Sequence, residues 1–270
     1  MLPREIFQQL GWVGQMLIKL MKWFLLIASI SHATIIWADQ LADIKQRAEQ
    51  GDVVAQNDLG TAYVSGNGVI KDYDQARKWF QTAAEKGSPL AQYNLGIMSA
   101  QGEGTPIDLG DAAKWFLKAA KQGDVPAQFN LGLMYAQGDG VPRNYQEAFQ
   151  WFSKAGGQGH PEAQVNLGLM YIRGEGVTKN MDEAVKWLRL SAKQGNSVAQ
   201  YNLGVCYLQG EGVSTDPLEA YKWLALAASQ GDNQARETLD KLETELTPEQ
   251  IAEAQKRSTI ENIGNGSLSR

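Results

Sequence analysis

The chain has 270 residues, 43% of them hydrophobic, and a formal net charge of −5. That composition suits a chain that buries a core. Its acidic balance, without a basic run, excludes nucleic acid as a partner, because such binding depends on clustered Lys and Arg. The single cysteine, Cys206, cannot close an internal disulfide, and no zinc-ligand spacing occurs.

In chain order, Lys19 and Lys22 precede an apolar stretch from Trp23 to Trp37, with small residues at Ala33 and Ala38. This is the order of a secretory signal, so residues 1–38 predict export to the periplasm or medium, with a cut after Ala38 or after Ala33. The fifteen residues ahead of Met16 sit oddly before the basic region, and Met16 or Met21 makes a more usual start. Ser29, Ser31 and His32 interrupt the stretch, which is short for a membrane span of about 20 apolar residues; an uncleaved anchor is the alternative. Without residues 1–38 the chain carries 22 basic and 29 acidic residues, a net of −7.

Residues 39–51 keep only the tail of a helix and predict an N-terminal cap. From residue 52 a phrase recurs every 36 residues: Ala91-Gln92-Tyr93-Asn94-Leu95-Gly96, then Ala127 to Gly132, Ala163 to Gly168 and Ala199 to Gly204, with a looser copy at Ala55. Trp79, Trp115, Trp151, Trp187 and Trp223 keep the same step. A period of this length marks a stacked repeat array. It divides the chain into five units, 52–87, 88–123, 124–159, 160–195 and 196–231, followed by capping helices over 232–258 and a frayed tail over 259–270. Of the 28 glycines, 20 fall at four fixed positions in these units, so they mark turns and close contacts.

Each unit predicts two helices, A and B, and hence an all-α solenoid. Helix A follows Asp52, Ser88, Asp124, His160, Asn196 or Asp232 as N-cap and ends at a Gly-x-Gly loop. Helix B follows Asp72, Asp108, Asn144, Asn180 or Asp216, with Gln75, Asp111, Glu147, Glu183 or Glu219 three residues on, the spacing of a capping box. Ala112, Trp115, Phe116, Ala119 and Ala120 form an apolar stripe on helix B. Leu95 and Met98 face inward on helix A, where Gly60, Gly96, Gly132, Gly168 and Gly204 permit close approach. Gly156-Gly157 marks either a soft joint or drift, and Thr247-Pro248-Glu249-Gln250 opens a last helix ending near Arg257.

The phrase Ala-Gln-Tyr-Asn-Leu-Gly, the Gly-Glu-Gly-Val loop and the Lys-Trp-Phe-x-Lys-Ala-Ala-x-Gln-Gly helix together resemble a Sel1-like repeat, a relative of the tetratricopeptide repeat. The resemblance covers residues 52–231. It implies a right-handed superhelix of antiparallel helix pairs with helix A lining the concave side. It also implies an adaptor or scaffold role, often in the bacterial envelope or as a secreted product. Some exported relatives carry a disulfide in each repeat; this chain lacks those cysteines, so its rigidity must come from packing.

On the face that the resemblance makes concave, Asn94, Asn130, Asn166 and Asn202 form a column of amides. Ile97, Leu133, Leu169 and Val205 follow one turn on, and Gln101, Gln137, Arg173 and Gln209 another turn on, on one helical stripe. Tyr93, Phe129 and Tyr201 flank it. Together they predict a groove for an extended peptide or a partner helix; the competing reading is that the Asn residues only hold neighbouring helices in register. His160 reads as a turn residue before Pro161 rather than a base, and Cys206 as a small core residue rather than a reactive thiol.

No His-Glu-x-x-His, Walker loop, paired-Cys motif or Ser-x-x-Lys occurs. The expectation is a non-enzymatic interaction scaffold with a protein or peptide partner, no cofactor and no metal. An envelope glycan-binding subunit is the first alternative. A hydrolase has no focus in the sequence, because the acids are scattered at caps and solvent faces.

Overall fold

The computed structural model describes residues 40–266, so the expected signal at 1–38 lies outside the described residues. The described residues form thirteen helices and no strand. Helix α1 spans 40–49. The five A helices are α2 (Val53–Ser65), α4 (Pro89–Gln101), α6 (Val125–Gln137), α8 (Pro161–Arg173) and α10 (Ser197–Gln209). The five B helices are α3 (Tyr73–Glu85), α5 (Leu109–Lys121), α7 (Tyr145–Gly157), α9 (Met181–Lys193) and α11 (Pro217–Ser229). Helices α12 (Asn233–Glu243) and α13 (Pro248–Gly266) close the chain, the last running past the expected end at Arg257. The chain divides into two compact units, one ending at Ala91 and one beginning at Gln92.

Within each repeat, helix A rests its glycine on an apolar side chain of helix B. A Cβ on Gly60 would lie 2.6 Å from the Phe80 ring, on Gly132 2.6 Å from Phe152, and on Gly168 2.7 Å from Leu188. Only a residue without a side chain lets the two backbones come this close. Phe80, Phe116, Phe152, Leu188 and Leu224 are accordingly buried, at 3% exposure or less. The tryptophan column is less uniform: Trp151 and Trp223 are buried, whereas Trp79, Trp115 and Trp187 are half-buried. The common anchor of the repeats is thus the residue after the tryptophan.

In the first unit, Ala48 of α1 packs with Ala55 and Leu59 of α2, backed by Ile44, Tyr63 and Trp79. In the second unit each helix packs on the next from α5 to α12, and α13 returns onto α11. The Gly-x-Gly loops take left-handed φ at both glycines. The second also abuts the preceding helix B: a Cβ on Gly140 would sit 2.2 Å from the Leu109 carbonyl oxygen, and one on Gly176 2.2 Å from that of Tyr145.

The helix B caps differ from the expected reciprocal box. The Asp108 carboxylate accepts from the Asp111 N–H at 2.8 Å and the Asn180 carbonyl from the Glu183 N–H at 3.1 Å. The cap N–H groups, however, donate back to helix A, Asp108 to the Ser99 carbonyl at 2.9 Å and Asn180 to that of Tyr171 at 3.0 Å. With that donor engaged, the third-position acids turn elsewhere: Asp111 accepts from the Ser99 hydroxyl at 2.8 Å, and Glu183 pairs with Lys186. The reciprocal form does occur at α13, where the Thr247 N–H donates to Gln250 Oε1 at 2.9 Å and the Gln250 N–H to Thr247 Oγ1 at 3.3 Å.

Candidate functional site: the helix A face

Each amide of the column sits on the second turn of its A helix, half-buried. For Asn130, Asn166 and Asn202 the bond made follows the residue 37 positions earlier, in the preceding repeat. That residue is Tyr93 for Asn130, and the Asn130 side chain hydrogen-bonds the Tyr93 hydroxyl. For Asn166 it is Phe129 and for Asn202 it is Val165, neither of which offers a polar atom. These two amides instead donate to their own helix, Asn166 Nδ2 to the Glu162 carbonyl at 2.8 Å and Asn202 Nδ2 to the Val198 carbonyl at 2.7 Å. A carbonyl oxygen only accepts, so each amide nitrogen must face inward and leave its Oδ1 outward. The column thus combines a register-holding bond at Asn130 with outward acceptors at Asn166 and Asn202.

Gln101, Gln137, Arg173 and Gln209 are exposed at the ends of their A helices. Arg173 lies 3.8 Å from Glu175. The aromatics Tyr93, Phe129 and Tyr201 are half-buried. Tyr93 packs its ring 5.7 Å from Phe116, and Phe129 packs 5.9 Å from Phe152 and stacks on His160 at 4.4 Å. Tyr201 packs against the core of α11 and α12.

A pocket of about 200 Å³ opens on this face in the second unit, lined by Asn166, Leu169, Met170, Arg173 and Glu175 together with Ala136, Tyr145 and Phe152. The first unit holds its counterpart, also about 200 Å³, lined by Asp58, Thr61, Ala62, Ser65 and Asn67 with Gln40, Leu41 and Ile44 of α1. The five A-side positions of the two pockets are the same positions of the repeat. Three of them, at Asn166, Leu169 and Arg173, lie on the stripe expected from the sequence. The loop acid Glu175 and the wall residues Tyr145 and Ala136 were not anticipated. The acid was traceable, since Glu103, Asp139, Glu175 and Glu211 recur inside the Gly-x-Gly loops.

A second ladder, of glutamines, was not anticipated either. Gln128, Gln164 and Gln200 are buried. Their Nε2 groups donate to the carbonyls of Ala120, Gly156 and Ala192 at 3.0–3.1 Å. Their Oε1 atoms accept from Gln158, Gln194 and Gln230 at 2.8 Å. Each glutamine so ties the end of one helix B to the end of the next. The 36-residue recurrence of both glutamines was the available signal.

Neither remaining candidate for chemistry is placed for it. Burial pushes the Cys206 thiol up to about 11, which keeps it protonated. His160 caps α8, its Nδ1 accepting from the Ala163 N–H at 3.3 Å. Among the described residues no His, Cys, Asp and Glu group could hold a metal ion, and no helix is long and apolar enough to cross a membrane.

Five consecutive copies of the Sel1 repeat match, over residues 53–88, 89–124, 125–160, 161–196 and 197–232. The chain belongs to the Sel1 repeat family. The copies keep the 36-residue period, shifted by one position from the units expected from the sequence. A Sel1 repeat protein from Oxalobacter formigenes is 30% identical with a TM-score of 0.70, over 82% of this chain and 98% of that one. The protective antigen c5321 of uropathogenic Escherichia coli, which displays the same fold, is 30% identical with a TM-score of 0.57, over 83% of this chain and 56% of that one. No curated protein matches. Sel1 repeat proteins generally mediate protein–protein interaction.

Proposed function

We propose that this Sel1 repeat protein is a non-enzymatic scaffold that binds a partner protein through the helix A face, taking an extended segment or a helix of that partner. The observation that carries this reading is the recurrence of one pocket, on the same five repeat positions, in both units. A purely structural face has no need to leave matching openings at separate junctions. The glycan alternative draws less support, because Tyr93 and Phe129 engage their rings with Phe116 and Phe152, leaving less aromatic face for a sugar. We further propose export directed by residues 1–38, checked by mapping the mature amino terminus; a product retaining residues 16–38 contradicts it.

The test of the scaffold is a pull-down with the full chain, repeated with two variants. The double change Asn166→Ala with Asn202→Ala is expected to lose the captured partner at unchanged melting temperature. Asn130→Ala is expected to lower stability by about 1 kcal/mol, the net worth of one hydrogen bond. Retention of the partner by the double variant overturns the groove.

A further inference from the structure

The face of α8 and α10 presents a set of outward acceptors. Asn166 and Asn202 both turn Oδ1 outward, since their nitrogens are held by the Glu162 and Val198 carbonyls. Glu175 stands on the rim of the pocket, and Glu211 occupies the same position one repeat on. Among these polar groups the pocket is also lined by Ala136, Phe152, Leu169 and Met170. Of the cations nearby, Arg173 lies 3.8 Å from Glu175 and Arg143 sits 5.8 Å from the centre of the Tyr145 ring, while Lys179 backs onto Gly174 with its side chain exposed. In the other repeats of this unit the position of Arg173 holds glutamine, as Gln101, Gln137 and Gln209.

We infer that this part of the face selects a basic, extended segment of a partner protein, with Lys or Arg side chains set beside an apolar one. The inference rests on the scaffold reading and names the chemistry of the partner. An extended segment sends alternate side chains to opposite sides, so one apolar residue can enter the pocket while its backbone N–H groups meet the Asn acceptors. Its flanking cations then meet Glu175 and Glu211, forming charge-assisted hydrogen bonds stronger than neutral ones. An acidic segment meets carboxylates and carbonyl oxygens, which have nothing to donate. Arg173 is the exception on the strip: by holding Glu175 it competes with the incoming cation.

The test uses the full chain and two fluorescent peptides of about a dozen residues. One alternates lysine with alanine around a central leucine; the other has glutamate in place of lysine. The lysine peptide is expected to bind about tenfold tighter, a difference of about 1.4 kcal/mol, and to weaken as salt rises. Glu175→Gln with Glu211→Gln should remove the preference. Glu237→Gln with Asp240→Asn on α12, which removes the same charge elsewhere, should leave it intact. Arg173→Gln should tighten the lysine peptide several-fold. Equal or tighter binding of the glutamate peptide, or equal loss in both double variants, overturns the basic-partner inference and leaves the scaffold standing. Loss of natural partner capture in Asn166→Ala/Asn202→Ala bears on the scaffold separately. If neither peptide binds, the inference is overturned.

Discussion

Single side chains decide how well the repeats are joined, and the glutamine ladder shows where one joint is incomplete. In the second unit Gln128, Gln164 and Gln200 each donate and accept, the acceptor met by the glutamine that ends helix B. In the first unit the equivalent of that second glutamine is Lys86, whose Nζ donates to the Gly51 carbonyl at 2.8 Å. Gln56 still donates to the Ala48 carbonyl at 3.0 Å, but its buried Oε1 has no partner. A buried acceptor left unmet costs about 1–3 kcal/mol. Lys86→Gln supplies the missing donor at an exposed position and gives up the lysine's solvent-exposed bond to the Gly51 carbonyl. We expect it to raise stability by about 1 kcal/mol, read as a higher urea midpoint; an unchanged or lower midpoint removes the ladder from the account of stability.

At the scale of the helices, most of the architecture was legible before the structure. Caps, loop glycines and the glycine-on-aromatic contact arise from residues close in sequence, repeated at a fixed step. What was not legible depends on a partner one repeat away: the split of the Asn column turns on whether position 93, 129 or 165 carries a hydroxyl. The one-sided caps have the same origin, since a carbonyl of helix A takes the donor a reciprocal box would use. Gly156-Gly157 does not break α7, which runs through both; a Cβ at Gly156 would lie 2.9 Å from Leu167 Cδ1, while one at Gly157 would meet nothing within 4 Å. His160 gives its helix a pH dependence in the histidine range, above that of the Asp caps, while the Asn caps have none. Burial lowers its pKa, against the opposing pull of Glu162, the charged group facing the ring at 3.2 Å. Nδ1 accepts from the Ala163 N–H only when it carries no proton; a proton there turns it into a donor toward Glu162 and ends the cap. With the folded value depressed, the unfolded chain binds the proton first. The stability of this cap is therefore complete above the ordinary histidine value of about 6.5 and falls as pH drops through the folded value. Urea titrations at decreasing pH should show a loss that His160→Asn abolishes, since Asn196 already serves as that cap one repeat on; identical pH profiles for the two proteins exclude the effect.

For the molecule as a whole, a Sel1 repeat array draws its stability from nearest-neighbour junctions, so its last repeat needs a cover. Helix α11 buries more of its length than any earlier B helix, with Tyr221, Trp223, Leu224 and Leu226 all within the core. The two C-terminal helices supply part of that burial: Ala235, Leu239 and Leu242 of α12 and Ala254 of α13 share one cluster with Ala220, Tyr221 and Leu224, whereas Trp223 and Leu226 pack toward α9 and α10. Polar bonds line the same seam, with the Tyr221 hydroxyl donating to Glu243 at 2.8 Å and Arg257 lying 3.4 Å from Glu219. The two contributions separate experimentally. Arg257 is one-third exposed and its acidic partners are partly open to water, so Arg257→Ala should cost no more than about 1 kcal/mol, the upper range for such pairs. A chain ending at Gly231 should lose far more, because each large apolar side chain returned to water forfeits about 1.5–3 kcal/mol. The uncovered face of α11 is also an apolar patch of the kind that recruits another molecule. We therefore expect the shortened chain to unfold at markedly lower urea and to associate more than its parent with rising concentration in light scattering, while Arg257→Ala matches its parent in scattering and lies near it in stability. If the shortened chain matches the parent in both measurements, α12 and α13 are not the cover that burial makes them. If Arg257→Ala fails as badly as the truncation, charge and not apolar surface holds the end of the array.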